Sequence, residues 1–207
     1  MHRFKTAPSY VVLRLDRDAH EWLAAARLQA FDAPDSIRAL LKHMEGFLAY
    51  RLRGDVLRAT ELAEEAIAID PSFAQAHLNL HFYLGAQGAK DRRTYEPLLE
   101  AYRLRERLSP YERNLVEAEY YLKVEDDPVR AVDRYRDHVR EAKKFGRNQV
   151  IVSYLGLASV HVQLGDLEEA ERASDARGAR RAVLSLLLHT LYAGRVTEAF
   201  TPDFYLP

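Results

Sequence analysis

The sequence predicts an all-α protein made of antiparallel helix pairs repeated along the chain. Three observations predict it. Turn signals recur at a repeat-like spacing: Gly54-Asp55, Gly88-Ala89, Asp126-Asp127, Gly165-Asp166 and Gly194-Arg195, at intervals of 34, 38, 39 and 29 residues. In most units an alanine follows five residues after the first member of the pair, at Ala59, Ala131, Ala170 and Ala199, with Arg93 in its place in the second unit. Between the turns the apolar residues fall at helical period, as in Leu62, Ala66, Ile69 and in Leu115, Ala118, Leu122.

Each element has its own signal. The spacing predicts helices over 18–30, 36–52, 56–69, 73–86, 92–107, 110–124, 128–144, 149–163, 167–177, 180–193 and 196–200. Glycine and aspartate tolerate the backbone of a turn that reverses one helix into the next. A small alanine early in the second helix lets the pair approach closely. Helix starts are marked as well. Ser72-Phe73-Ala74-Gln75 and Ser109-Pro110-Tyr111-Glu112 read as capping boxes, the latter with proline at the first helical position, and Asp127-Pro128 is a third start. Only Tyr10 to Leu15 reads as a short extended piece.

Composition narrows the function classes. The chain has 207 residues, 48% hydrophobic and 29% charged, which suits a folded protein. A net charge of −1 supplies no field for nucleic acid or an anionic membrane. With no cysteine, disulfides, thiolate metal sites and a cysteine nucleophile are excluded. The apolar stretch after Met1–Ser9 is too short for a signal peptide. The stretch Ala182–Ala193, broken by Ser185, His189 and Thr190, is too short and polar to span a bilayer. A cytoplasmic location is the expectation.

Particular residues resemble a known family. Tyr50, Gly54, Asp55, Ala59, Ala66 and Pro71 in unit 40–73 fall where the tetratricopeptide repeat (TPR) family places such residues. Unit 151–178 is similar through Leu157, Ala158, Gly165, Asp166 and Ala170. Unit 112–147 shares Leu115, Leu122, Ala131 and Tyr135 but has no closing proline. Leu108-Ser109-Pro110-Tyr111-Glu112-Arg113, followed by Glu117-Ala118-Glu119-Tyr120-Tyr121, resembles the repeat region behind bacterial serine/threonine kinase domains and some winged-helix regulators. No glycine-rich loop, H-R-D or D-F-G accompanies it.

The resemblance implies a right-handed superhelix of TPR-like pairs, an α-solenoid. Residues 1–35 form an N-terminal segment with a candidate capping helix around Trp22, Leu23 and Leu28. Residues 36–200 hold about four repeats and a truncated fifth, and 201–207 form a tail. The expected function is a non-enzymatic protein-interaction scaffold, regulatory in character, that holds a partner segment in an apolar concave groove. The register projects Met44, Leu48 and Arg51 from the first unit, and Leu78 and Phe82 from the second. Val116, Tyr120 and Lys123 follow from the third, and Leu155, Ser159 and Val162 from the fourth. Part of this set is expected to pack into the core instead. The family's carboxylate clamp is absent, since Met44 and Leu48 stand at its lysine and asparagine places.

Rival readings carry less. His77 and His81 have a metal-ligand spacing but no third ligand, so they read as packing residues. Glu64-Glu65, Asp126-Asp127 and Glu168-Glu169 lie in turns or on outer faces, with no base partner for acid–base catalysis. The arginines at 103, 105, 107, 130, 134, 136 and 140 are interleaved with acids, the pattern of a salt-bridged outer face. No catalytic, metal or cofactor site is expected, and no nucleic-acid or membrane partner. Two alternatives stand beside the scaffold: a homo-oligomer assembled through an uncapped C-terminal end, and a helical domain sensing a small apolar molecule.

Overall fold

A computed structural model of the chain describes residues 33–88, 92–145, 147–166 and 169. Among the described residues all regular structure is helical, with no strand. The helices are α1 (Asp35–Arg53), α2 (Val56–Ile69), α3 (Ala74–Ala86), α4 (Arg92–Arg103), α5 (Pro110–Lys123), α6 (Pro128–Ala142) and α7 (Arg147–Gln163), with a three-ten turn at Arg105–Arg107. None is long and apolar enough to cross a membrane. The chain divides into two compact units, Met1–Pro97 and Leu98–Pro207. The division falls inside α4, immediately after Pro97, which has no N–H to give the helix ladder.

In the first unit, α1 ends where Gly54 takes a left-handed backbone, φ 66°; its N–H returns to the Tyr50 carbonyl, and the Asp55 N–H to that of Ala49. Without a Cβ, glycine adopts this conformation at little cost. Asp55 then caps α2, accepting the N–H of Arg58 at 3.0 Å. The helices run antiparallel at short range because both sides are small: a Cβ added to Gly46 would lie 3.2 Å from the Ala59 carbonyl oxygen and 3.2 Å from Leu62 Cβ. Ala59, Ala63, Leu80 and Tyr83 form the core between α2 and α3, flanked by Tyr50, Val56, Ile67 and Leu84.

The second unit is built the same way. Tyr111 at the start of α5 stacks on His138 near the end of α6, and Tyr121 near the end of α5 lies under Arg130 at the start of α6. Ala118, Leu122, Ala131, Val132, Tyr135, Val139, Leu157, Ala158 and Val160 form one core from α5, α6 and α7. The left-handed turn residue recurs at Gly88 (φ 81°), Asp126 (53°) and Gly165 (74°). So four of the five turn signals carry the backbone that the sequence pattern requires, one of them without glycine.

Two local expectations need correction. Ser72 does not cap α3. Its N–H and Oγ–H both donate to Asp70 Oδ1, at 2.9 and 2.7 Å, and Phe73 takes the cap position with no side-chain bond. The Asp70 carboxylate, two residues back, is an acceptor already in place, and such Asx turns compete with capping. The helix expected over 92–107 is also broken. It ends at Arg103 and tightens into the three-ten turn, where Arg107 and Leu108 bond the carbonyls three residues back. Arg105 donates to the Tyr102 carbonyl at 2.9 Å, satisfying a backbone acceptor that the helix no longer serves. The other two starts form as expected. Ser109 and Glu112 make the reciprocal capping box behind Pro110, and Asp127 caps α6 by accepting the N–H of Arg130 at 3.0 Å.

The expected helices at 18–30, 167–177, 180–193 and 196–200 lie outside the described residues, as do the Gly194 turn, Ala199 and the C-terminal end. The capping role assigned to 1–35 rests on Trp22, Leu23 and Leu28, which lie there too.

Candidate interaction surfaces

Helix α1 has two working faces. One faces α2 and α3 through Ala39, His43, Gly46 and Ala49, all buried, with His43 tilted against Phe73 at 5.0 Å. The other carries Ile37, Leu40, Met44, Phe47, Leu48 and Arg51, spaced so that all six share one stripe of the helix. Ile37, Leu40 and Phe47 remain 44%, 43% and 41% exposed. Met44 and Leu48 are half-buried, packed on Leu41, and Arg51 is exposed. The structure thus brings the expected Met44, Leu48 and Arg51 together. It adds Ile37, Leu40 and Phe47, which a register that begins at Met44 and takes one residue per turn does not reach.

The remaining expected residues divide. Leu78, Val116 and Val162 are buried and present no surface to a partner. For Leu78 the reason is visible in its helix: α3 buries Ala74, Ala76, His77, Leu78, Leu80, His81 and Tyr83, leaving little free perimeter. Phe82, Leu155 and Ser159 are half-buried, Leu155 against the core of the second unit. Lys123 is exposed.

Tyr120 belongs to a different arrangement. Its ring stacks on Tyr102 with centroids 3.7 Å apart and planes 8° from parallel, while Tyr121 meets both edge-on at 6.3 and 5.9 Å. Arg105 lies over Tyr102 at 4.3 Å and Arg130 over Tyr121 at 3.8 Å. Burial first, then the neighbouring Tyr121 hydroxyl, pushes the Tyr102 phenol up to about 12, so it stays neutral. Each guanidinium is also held by carboxylates, Arg105 by Glu117 at 3.5 Å and Arg130 by Glu125 at 2.5 Å. Ring faces and cations are therefore spent on one another, which makes the cluster a clasp between α4, α5 and α6. Tyr120-Tyr121 was visible in the sequence. That Tyr102 would meet them was not, because it depends on how the chain turns at 104–109.

His77 and His81 are each tied to the backbone. His77 Nε2–H donates to the Pro71 carbonyl at 2.9 Å, and His81 Nδ1–H to the Thr94 carbonyl at 2.8 Å. Those bonds commit one nitrogen of each ring to the backbone. Among the described residues no group of three metal-ligand side chains converges. His43 and His138 are pushed down to about 4 by burial, against a weaker upward pull on His138 from its bond to the Tyr111 carbonyl.

The arginines on α6 are paired as the interleaving implied. Arg134 meets Glu117 at 3.5 Å and Asp137 at 3.4 Å, Arg136 meets Asp133 at 3.6 Å, and Arg140 meets Asp137. An open depression of about 610 Å³ runs beside them, floored by Val139, Tyr154 and Leu157. Both of its aspartates are paired with arginine. No protein-family model, curated protein or solved structure matches the chain.

Proposed function

We propose that the chain is a non-catalytic, tetratricopeptide-like interaction module, its helix pairs wound as a right-handed solenoid, which binds an apolar segment of a regulatory partner. One observation carries the reading: α1 keeps a second apolar face after α2 and α3 have used the first. Exposed apolar residues are normal singly, but a contiguous stripe of five on one helix is the form that a docking surface takes. Covering Leu40 and Phe47 is worth about 1 kcal/mol each for the fraction still exposed. That is enough to hold a partner reversibly and not enough to demand one.

The test uses the full chain carrying a photo-cross-linking residue at position 47 or, as control, at exposed Glu61 on α2. Partner adducts are expected from position 47 and not from 61, and they should vanish in a Leu40→Glu, Phe47→Glu double variant of unchanged helicity. Equal adducts from both positions, or adducts that survive the double variant, would remove α1 as the docking face.

A further inference from the structure

We infer that the occupant of the α1 face is a short amphipathic helix with an acidic residue one turn beyond its apolar stripe, set against Arg51. This rests on α1 being the docking face and adds the chemistry of what docks.

Three observations lead to it. The stripe from Ile37 to Arg51 spans fourteen helical steps, roughly 21 Å at the helical rise. Its accessible members are side chains of a single helix, whereas a stable pair of subunits uses roughly 20–30 residues a side. The area therefore fits one partner helix lying along α1 and falls short of a second copy of this chain.

The stripe also ends in a charge. Arg51 is exposed, lies on the same face as Met44 and Leu48, and has no hydrogen-bond or ion-pair partner among the described residues. Its neighbours are committed. On α1, Lys42 pairs with Glu65 at 2.5 Å and Arg38 with Asp35 at 3.3 Å; on α2, Arg58 pairs with Glu61 at 2.8 Å. Arg51 is thus the cation left to pair at the end of the apolar row. A cation in the last turn also complements the helix dipole, but Arg53 in the same turn serves that purpose too. The stripe itself, from Ile37 to Leu48, carries no charge on that face. A partner charge placed mid-helix would therefore be desolvated without a counter-ion, and one placed at the Arg51 end would be matched.

The experiment measures fluorescence anisotropy of the full chain with two labelled synthetic peptides, each about 14 residues long to match the stripe. Both carry leucines at i, i+3, i+4 and i+7. One has glutamate a turn beyond the last leucine, and the other has lysine there. At low salt the glutamate peptide is expected to bind about fivefold more tightly than the lysine peptide, a ratio that shrinks at high salt. Arg51→Glu should invert the preference, and Arg51→Ala should erase it while leaving the weaker apolar binding.

The outcomes separate. Equal affinity for both peptides, with binding lost in Phe47→Glu, overturns the acidic partner and leaves the docking face standing. If neither peptide binds, both readings fall. A dimer in light scattering that Phe47→Glu dissociates assigns the face to a second copy and overturns the partner helix.

Discussion

A Cβ added to Gly156 would stand 2.5 Å from Cε1 and 3.0 Å from Cδ1 of Tyr135. Tyr135 has nowhere to go: it is 3% exposed, packed in the α5–α6–α7 core, and its hydroxyl donates to Glu119. Gly156→Ala is therefore an overpacking change, and it should cost about 1–3 kcal/mol of stability in urea unfolding. A Gly156→Ala chain as stable as the parent would mean that α7 shifts to make room. Nothing in the sequence announces this glycine, since its role is set by a ring 21 residues away. Gly54 is the opposite case: its place between two helical patterns and before an aspartate names its backbone in advance.

At the scale of the element, the helices of the first unit were almost fully legible and the joints were not. The expected 36–52, 56–69 and 73–86 stand at Asp35–Arg53, Val56–Ile69 and Ala74–Ala86 because turn residues bracket each of them. At Ser72 and at 104–107 the deciding contact is a side chain choosing between two local partners: Ser72 donates to Asp70 where it could have accepted a helix N–H, and Arg105 donates to the Tyr102 carbonyl in place of solvent. Short motifs name both options and weigh neither. Asp127 offers a clean test of a joint that was read correctly. Its carboxylate serves the α6 N-terminus, and Asp127→Ala should cost about 1 kcal/mol of stability, with Asp127→Asn recovering much of it. If Asp127→Asn is as damaging as Asp127→Ala, the side chain works through its charge toward Arg130 rather than as a cap.

For the whole molecule, burial lowers histidines in both units: His43 in the first and His138 in the second are pushed down to about 4, and His161 in the second is lowered as well. A folded-state value below the unfolded one, about 6.5, means that the unfolded chain takes up protons first as pH falls. The stability these groups lend is complete above about 6.5 and drains as the pH descends toward 4. Between pH 7 and 5.5 most surface carboxylates stay ionised, so the histidines are read nearly alone. His43 and His138 should then each remove about 1 kcal/mol over that interval. The loss belongs to both units, so it should lower urea midpoints reported by either. His43→Phe, which keeps a ring against Phe73, should flatten the pH dependence of the first unit and spare that of the second. An unchanged slope would mean that water reaches the His43 ring on a timescale that the buried geometry does not show. The docking face stands apart from this titration, since His43 lies on the side of α1 turned to α2 and α3: a partner bound to the folded chain should raise the midpoint and leave the histidine slope as it was.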